Sequence, residues 1–152
     1  MNKNKYLIDL SESERTEFGR VNFPEQSEPQ RVFSSIWELE SHVNTGGFDS
    51  YFRYVEPASI AFAPTALRTI GAKACSEVVL QAASHVFGSQ APASQDEIEQ
   101  QLDALRPDAQ QQLYAFDQAF MDYPDNLTEL LFAYVTSHSD VFGPIPNGIR
   151  NH

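Results

Sequence analysis

Apolar residues in this chain recur at three- and four-residue intervals and nowhere alternate over the length of a strand, which points to helices packed on helices. Ile36, Leu39 and Val43, with Trp37 beside them, form one stripe. Phe48, Tyr51, Phe52 and Val55 follow at i, i+3, i+4, i+7 and form a second. Between them stands Gly46-Gly47, where glycine tolerates the left-handed conformation that ends a helix.

Start and stop signals divide the rest. Ser35-Ile36-Trp37-Glu38, Ser94-Gln95-Asp96-Glu97 and Asn126-Leu127-Thr128-Glu129 have the capping-box pattern, which predicts three helix N-termini. Pro64 and Pro107 suit first helical positions, and Pro57 closes the short helix before it. Gly71 offsets one helix from the next, which runs from Ala72 to Phe87 with Ala74, Val78, Ala82 and Val86 as its stripe and Cys75, Val79 and Ala83 beside it. Gly88 caps that helix, and 89–93, with Pro92, reads as a linker. Ile98, Leu102 and Leu105 form the next apolar face, then Leu113, Phe116 and Phe120, ended by Tyr123-Pro124. Leu127, Leu130, Leu131, Tyr134 and Val135 complete the series.

The N-terminal 33 residues are polar, carry Pro24 and Pro29, and predict at most one short helix around Ser11–Phe18. The expected organisation is therefore a partly irregular segment over 1–33, a helical domain over 34–142 and a Pro/Gly tail over 143–152. The fold class is all-α: a single compact domain of about six to eight short helices in an irregular bundle.

Charge narrows the function. The chain has 152 residues, with 21 acidic against 10 basic side chains, for a net charge of −11. Residues 1–73 account for −2 and residues 74–152 for −9, the latter holding only Arg106 and Arg150 as bases. So acidic a surface disfavours direct nucleic-acid binding, which needs cations to displace counterions, and disfavours anionic membranes. A lone cysteine, Cys75, leaves no intrachain disulfide and no cysteine-based zinc site, and suits a reducing compartment. No apolar run suggests a signal peptide or a membrane span, so a cytoplasmic location is expected.

Motifs for chemistry are sparse. The four histidines lie at no metal-ligand spacing, Gly46-Gly47 lacks the ending of a phosphate loop, and there is no nucleophile elbow. The expectation is no catalytic residue, no metal and no cofactor. Asp117 falls at the edge of the Leu113/Phe116/Phe120 stripe and should be half-buried, paired with a hydroxyl, an amide or an arginine.

The segment Asn44-Thr45-Gly46-Gly47-Phe48-Asp49-Ser50-Tyr51-Phe52, followed by Ile70-Gly71-Ala72, resembles a bacterial family of small acidic all-α proteins. That family is a domain of unknown function whose best-known member is a DNA mimic. The resemblance extends from about Phe33 to Phe142, and departs from the pattern at Ser50 and Tyr54, where glutamine and asparagine are expected. Asn44, Gly46, Gly47, Phe48, Tyr51, Phe52, Ile70 and Gly71 are the matching positions, and their residue types suit an architectural role: an abrupt turn with aromatics packed inward.

What the resemblance implies is a protein that binds a DNA-binding protein in place of DNA. Mimicry depends on where the carboxylates lie. Asp96, Glu99 and Asp103 fall within about 60° of one another on a helical wheel, with Glu99 and Asp103 about 6 Å apart along the axis. Glu97, Asp108, Asp122, Asp125 and Glu129 extend the surface. Asp96, Glu97 and Asp108 also favour helix N-termini, whereas Asp103, Asp122 and Asp125 lack that local reason. The expected partner is a basic DNA-binding protein such as a transcriptional regulator or a nucleoid protein, with a homodimer left open. The alternative is an immunity-type or adaptor protein that binds a toxin or another protein, its acidity serving solubility. A third reading, an enzyme with a site around Asn44–Tyr54, requires a deep polar pocket there rather than a filled aromatic core.

Overall fold

The computed structural model describes residues 2–89 and 94–144. Its elements are α1 (Lys3–Ser11), a 3-10 turn (Phe23–Glu25), α2 (Glu28–Tyr54), α3 (Pro57–Thr69), α4 (Lys73–Phe87), α5 (Gln95–Asp103), α6 (Pro107–Met121), α7 (Leu127–Ser137) and α8 (Ser139–Phe142). No strand occurs among the described residues. The chain is an all-α bundle, as its periodicity requires. Most of the predicted linker (90–93) and the tail from 145 onward lie outside the described residues.

The long α2 is the spine. It packs against α3, α5 and α6, while α4 packs against α3 and α6, and α1 is held by α7. At the centre Phe48 stacks on Phe52 with centroids 5.7 Å apart and meets Phe120 edge-on at 6.0 Å. Phe52 meets Phe87 at 5.0 Å, so α2, α4 and α6 share one aromatic cluster. Aromatic pairs in these geometries add to what their burial already contributes.

α2 begins at Glu28 and not at Ser35, so the capping box expected there is absent. Ser35 is fully buried and its hydroxyl donates to the Val32 carbonyl one turn back. The reason is that Val32 and Phe33 are buried with Ile36 and extend the stripe upstream, while Pro29 fits the first turn. The boundary drawn at 33/34 consequently falls inside a helix. α2 bends where the two glycines predict: Gly47 has φ 72° and ψ −173°, so the element is two helices meeting at one non-helical residue.

Three further expectations are corrected. The N-terminal helix occupies Lys3–Ser11 rather than Ser11–Phe18, because Asn2 accepts from the Lys5 N–H and Tyr6, Leu7 and Leu10 reach the core. Pro64 lies inside α3, which starts at Pro57, because Ile60 and Ala63 already belong to the buried face of Ala66 and Leu67. On α4 the buried face is rotated from the predicted stripe: Cys75, Val79, Ala82, Val86 and Phe87 are buried, Ala74 is exposed and Val78 is half-buried.

The polar segment between α1 and α2 is ordered by two buried glutamines. Gln30 accepts from the Glu17 N–H at 3.0 Å and donates to the Arg15 carbonyl at 3.0 Å. Gln26 donates to the Val21 carbonyl and accepts from Ser34 Oγ at 2.8 Å. Side-chain amides thus satisfy backbone groups that have no helical partner.

Candidate acidic interface

α5 is set by its cap. Ser94 Oγ accepts from the Glu97 N–H at 3.2 Å, as the second capping box predicts. Ile98 and Leu102 are buried on the side that faces α2 and α4, which leaves Asp96, Glu97 and Glu99 exposed. Asp96 and Glu97 lie in the first turn, where the helix dipole favours negative charge.

α6 starts at Pro107 as predicted, with Asp108 exposed in its first turn. Its other end carries Asp122, exposed at the C-cap position. A carboxylate there faces the negative end of the helix dipole and loses stability by it. Asp108 and Asp122 are separated by about 20 Å along the helix axis. The side chains of Asp96, Glu99, Asp108 and Asp122 have no hydrogen bond or ion pair to another described residue.

The other expected interface residues are engaged within the fold. Asp103 is paired with Arg53 Nη2 at 2.8 Å, and the same guanidinium binds Asp49 at 2.7 Å. Both carboxylates push the arginine's pKa upward and keep it charged. Asp125 is half-buried and accepts from the Cys75 N–H at 2.8 Å, so it caps α4 from a distant part of the chain. Glu129 is paired with Lys3 Nζ at 2.7 Å and ties α7 to α1. Of the third capping box only the first half forms: Asn126 Oδ1 accepts from the Glu129 N–H, while the Glu129 side chain turns to Lys3 instead of back to the cap. Arg53 and Lys3 as internal counter-ions escaped the sequence reading. The i, i+4 spacing of Asp49 and Arg53 is legible, but the partners of Asp103 and Glu129 are distant in sequence.

The aromatic part of the glycine-aromatic segment packs inward, while Asn44, Thr45 and Gly46 are exposed. Phe48, Tyr51 and Phe52 have no exposure and fill the core, and Ile70 is buried beside Gly71, whose φ is 91°. A Cβ on Gly46 would come within 2.6 Å of Ser50 Cβ. A Cβ on Gly47 would collide with the Asp117 carboxylate, which occupies the inside of the bend. Asp117 Oδ1 accepts from the Phe48 N–H at 2.8 Å. Its expected amide partner is thus a backbone N–H, and it is buried rather than half-buried, at 6% exposure. Burial raises its pKa, the Phe48 N–H opposes that, and nearby Asp49 adds to it.

Asn44 donates to the Tyr123 hydroxyl at 2.8 Å, which donates in turn to Glu40 at 3.2 Å. Burial raises the pKa of Glu40 and the Tyr123 bond opposes it. Tyr123 holds φ at 50°, the only non-glycine with positive φ among the described residues. At the two departures from the family pattern, Ser50 lies 3.2 Å from His42 Nδ1, and Tyr54 stacks on the same ring while remaining 70% exposed.

No described helix is long and apolar enough to cross a membrane. A family model described as DMP19-like protein matches residues 24–138, most of the chain, which therefore belongs to that family. No curated protein and no solved structure matches.

Proposed function

We propose that this member of the DMP19-like family is an acidic binding protein that presents the carboxylates of α5 and α6 to a basic DNA-binding protein and competes with DNA for it. The observation that supports this best is the set Asp96, Glu99, Asp108 and Asp122, exposed and without a hydrogen bond or ion pair among the described residues, one of them placed against its own helix dipole. Asp122 has no structural task and sits where a negative charge costs stability, which favours a role outside the chain. Glu97 adds to the same surface. Asp103, held by Arg53, contributes a weaker field, and Asp125 and Glu129 are assigned to the fold rather than to the partner.

The mechanism is electrostatic complementarity. Carboxylates on a surface with few cations steer a basic partner, raise its association rate and occupy the side chains that would contact phosphates. Such a partner, a transcriptional regulator or a nucleoid protein, places the chain in the cytoplasm. The function requires no catalytic group, metal or cofactor.

The test is capture of partners on the immobilised protein under a rising salt wash, repeated with Glu99→Lys, Asp108→Lys and Asp122→Lys combined. Recovery of a DNA-binding protein that elutes with salt and is lost on charge reversal supports the reading. A partner retained unchanged by the reversed variant would point to the alternative, an immunity-type or adaptor protein whose acidity serves solubility.

A further inference from the structure

Residues 18–23, together with groups from α2 and the start of α3, line a cleft of about 370 Å³. Its walls include Phe18, Phe23 and Gln26, and two carboxylates, Glu38 from α2 and Glu56 from the start of α3. Gln26 donates to the Val21 and Glu17 carbonyls and accepts from Ser34, and so acts as a fixed wall. Arg20 also lines the cleft, but its guanidinium is directed to the Glu12 carbonyl at 3.3 Å and pairs with neither glutamate.

Glu38 is the unusual group. It is half-buried, accepts a single hydrogen bond, from Ser59 Oγ at 3.0 Å, and has no cationic partner among the described residues. Burial and, to a lesser degree, the nearby Glu56 charge push its pKa upward. A half-buried carboxylate without a counter-ion costs stability wherever no ligand offsets it. Two carboxylates are too few oxygen ligands for a calcium-type site, whereas aromatic walls favour an organic cation.

We propose that this cleft binds a guanidinium or primary ammonium group on a short apolar stem, with the charge between Glu38 and Glu56 and the stem along Phe18 and Phe23. The cation comes from a free small amine or from an arginine or lysine side chain of a bound peptide. The site is separate from the α5–α6 surface and stands whether or not that surface binds a DNA-binding protein.

The test is a titration of the full chain, followed by backbone amide NMR, with n-butylguanidinium, with n-butanol as the neutral control, and with an acetylated, amidated Ala-Arg-Ala tripeptide. Saturable shifts confined to residues 18–26 and the neighbourhoods of 38 and 56, absent with n-butanol, are expected. Glu38→Gln and Glu56→Gln should each weaken binding by about tenfold or more, the size of one lost charge-assisted hydrogen bond. A tripeptide that binds tighter than n-butylguanidinium identifies a peptide side chain as the source; one that binds no tighter identifies a free amine. Absence of saturation, equal response to n-butanol, or binding unchanged in Glu56→Gln would overturn the proposal. Glu56 is exposed, so that variant decides even where Glu38→Gln perturbs the fold.

Discussion

Asp117 on α6 supplies the cap for the second half of α2: its Oδ1 accepts from the Phe48 N–H at 2.8 Å, across 69 residues of chain. The carboxylate stands where any side chain at position 47 would begin, so the glycine and the aspartate require one another. Gly47 leaves the helical region at φ 72°, ψ −173°, which is open essentially to glycine alone. The bend turns Phe48, Tyr51 and Phe52 into the core, and Asp117 satisfies the N–H that the bend exposes.

Gly47→Ala should therefore be strongly destabilising, by about 3 kcal/mol or more, since backbone strain and a carboxylate collision act together. Asp117→Ala should cost about 1–3 kcal/mol through the lost buried hydrogen bond. The two losses should fall short of additive in the double variant, because removing the carboxylate relieves the collision. Urea unfolding of the four proteins measures this, and strict additivity would show that the two residues do not interact.

Stability should fall as pH rises from the ordinary carboxylate range toward neutrality. Burial raises the pKa values of Glu38, Glu40 and Asp117 in the folded chain. A raised acid pKa means that the folded state holds its proton more tightly than the unfolded state does. Its favourable contribution is present at the acidic end of the window and is lost as pH climbs through the folded-state values. Repulsion within a chain of net charge −11 acts in the same direction. The calorimetric Tm should be higher at about pH 5 than at about pH 7.5, and Asp117→Asn should flatten the difference. A Tm that rises toward neutrality would contradict this.

Asp125 should behave as a helix cap and not as a surface charge. Its carboxylate holds the Cys75 N–H in the first turn of α4, so Asp125→Ala should cost about 1 kcal/mol. Asp122→Ala should have no such cost and should stabilise slightly, because it removes a negative charge from a helix C-terminus. Thermal unfolding of the pair separates the two kinds of acidic residue.

Cys75 should be inert in the native chain. It is fully buried, and burial pushes its thiol up to about 11, so little thiolate exists near neutral pH. Its reaction with a disulfide reagent at mildly alkaline pH should be slow and limited by opening of the fold. A fast, complete reaction without denaturant would show that the α4 N-terminus opens locally.

Local rules reached much of the fold unaided. Ser94 and Asn126 cap, Pro107 starts and Gly47 breaks where the residues alone say they should, because each effect operates within one helical turn. The same rules misplaced the start of α2 and the role of Pro64. Ser35 and Pro64 each fit a helix start in isolation, and only the burial of Val32, Phe33, Ile60 and Ala63 shows that their helices have already begun.

The helical class, the acidity and its concentration in the C-terminal half were determined by the sequence, since periodicity and charge are properties of the chain itself. Which carboxylates remain available was decided by the tertiary structure. Asp103, Asp125 and Glu129 look no different in sequence from Glu99 and Asp122, yet they are claimed by Arg53, by the Cys75 N–H and by Lys3. Asp117 found its backbone partner, and Glu38 its cleft, in the same way. A carboxylate's task depends on the cation or N–H that packing brings to it, and those partners lie dozens of residues away along the chain.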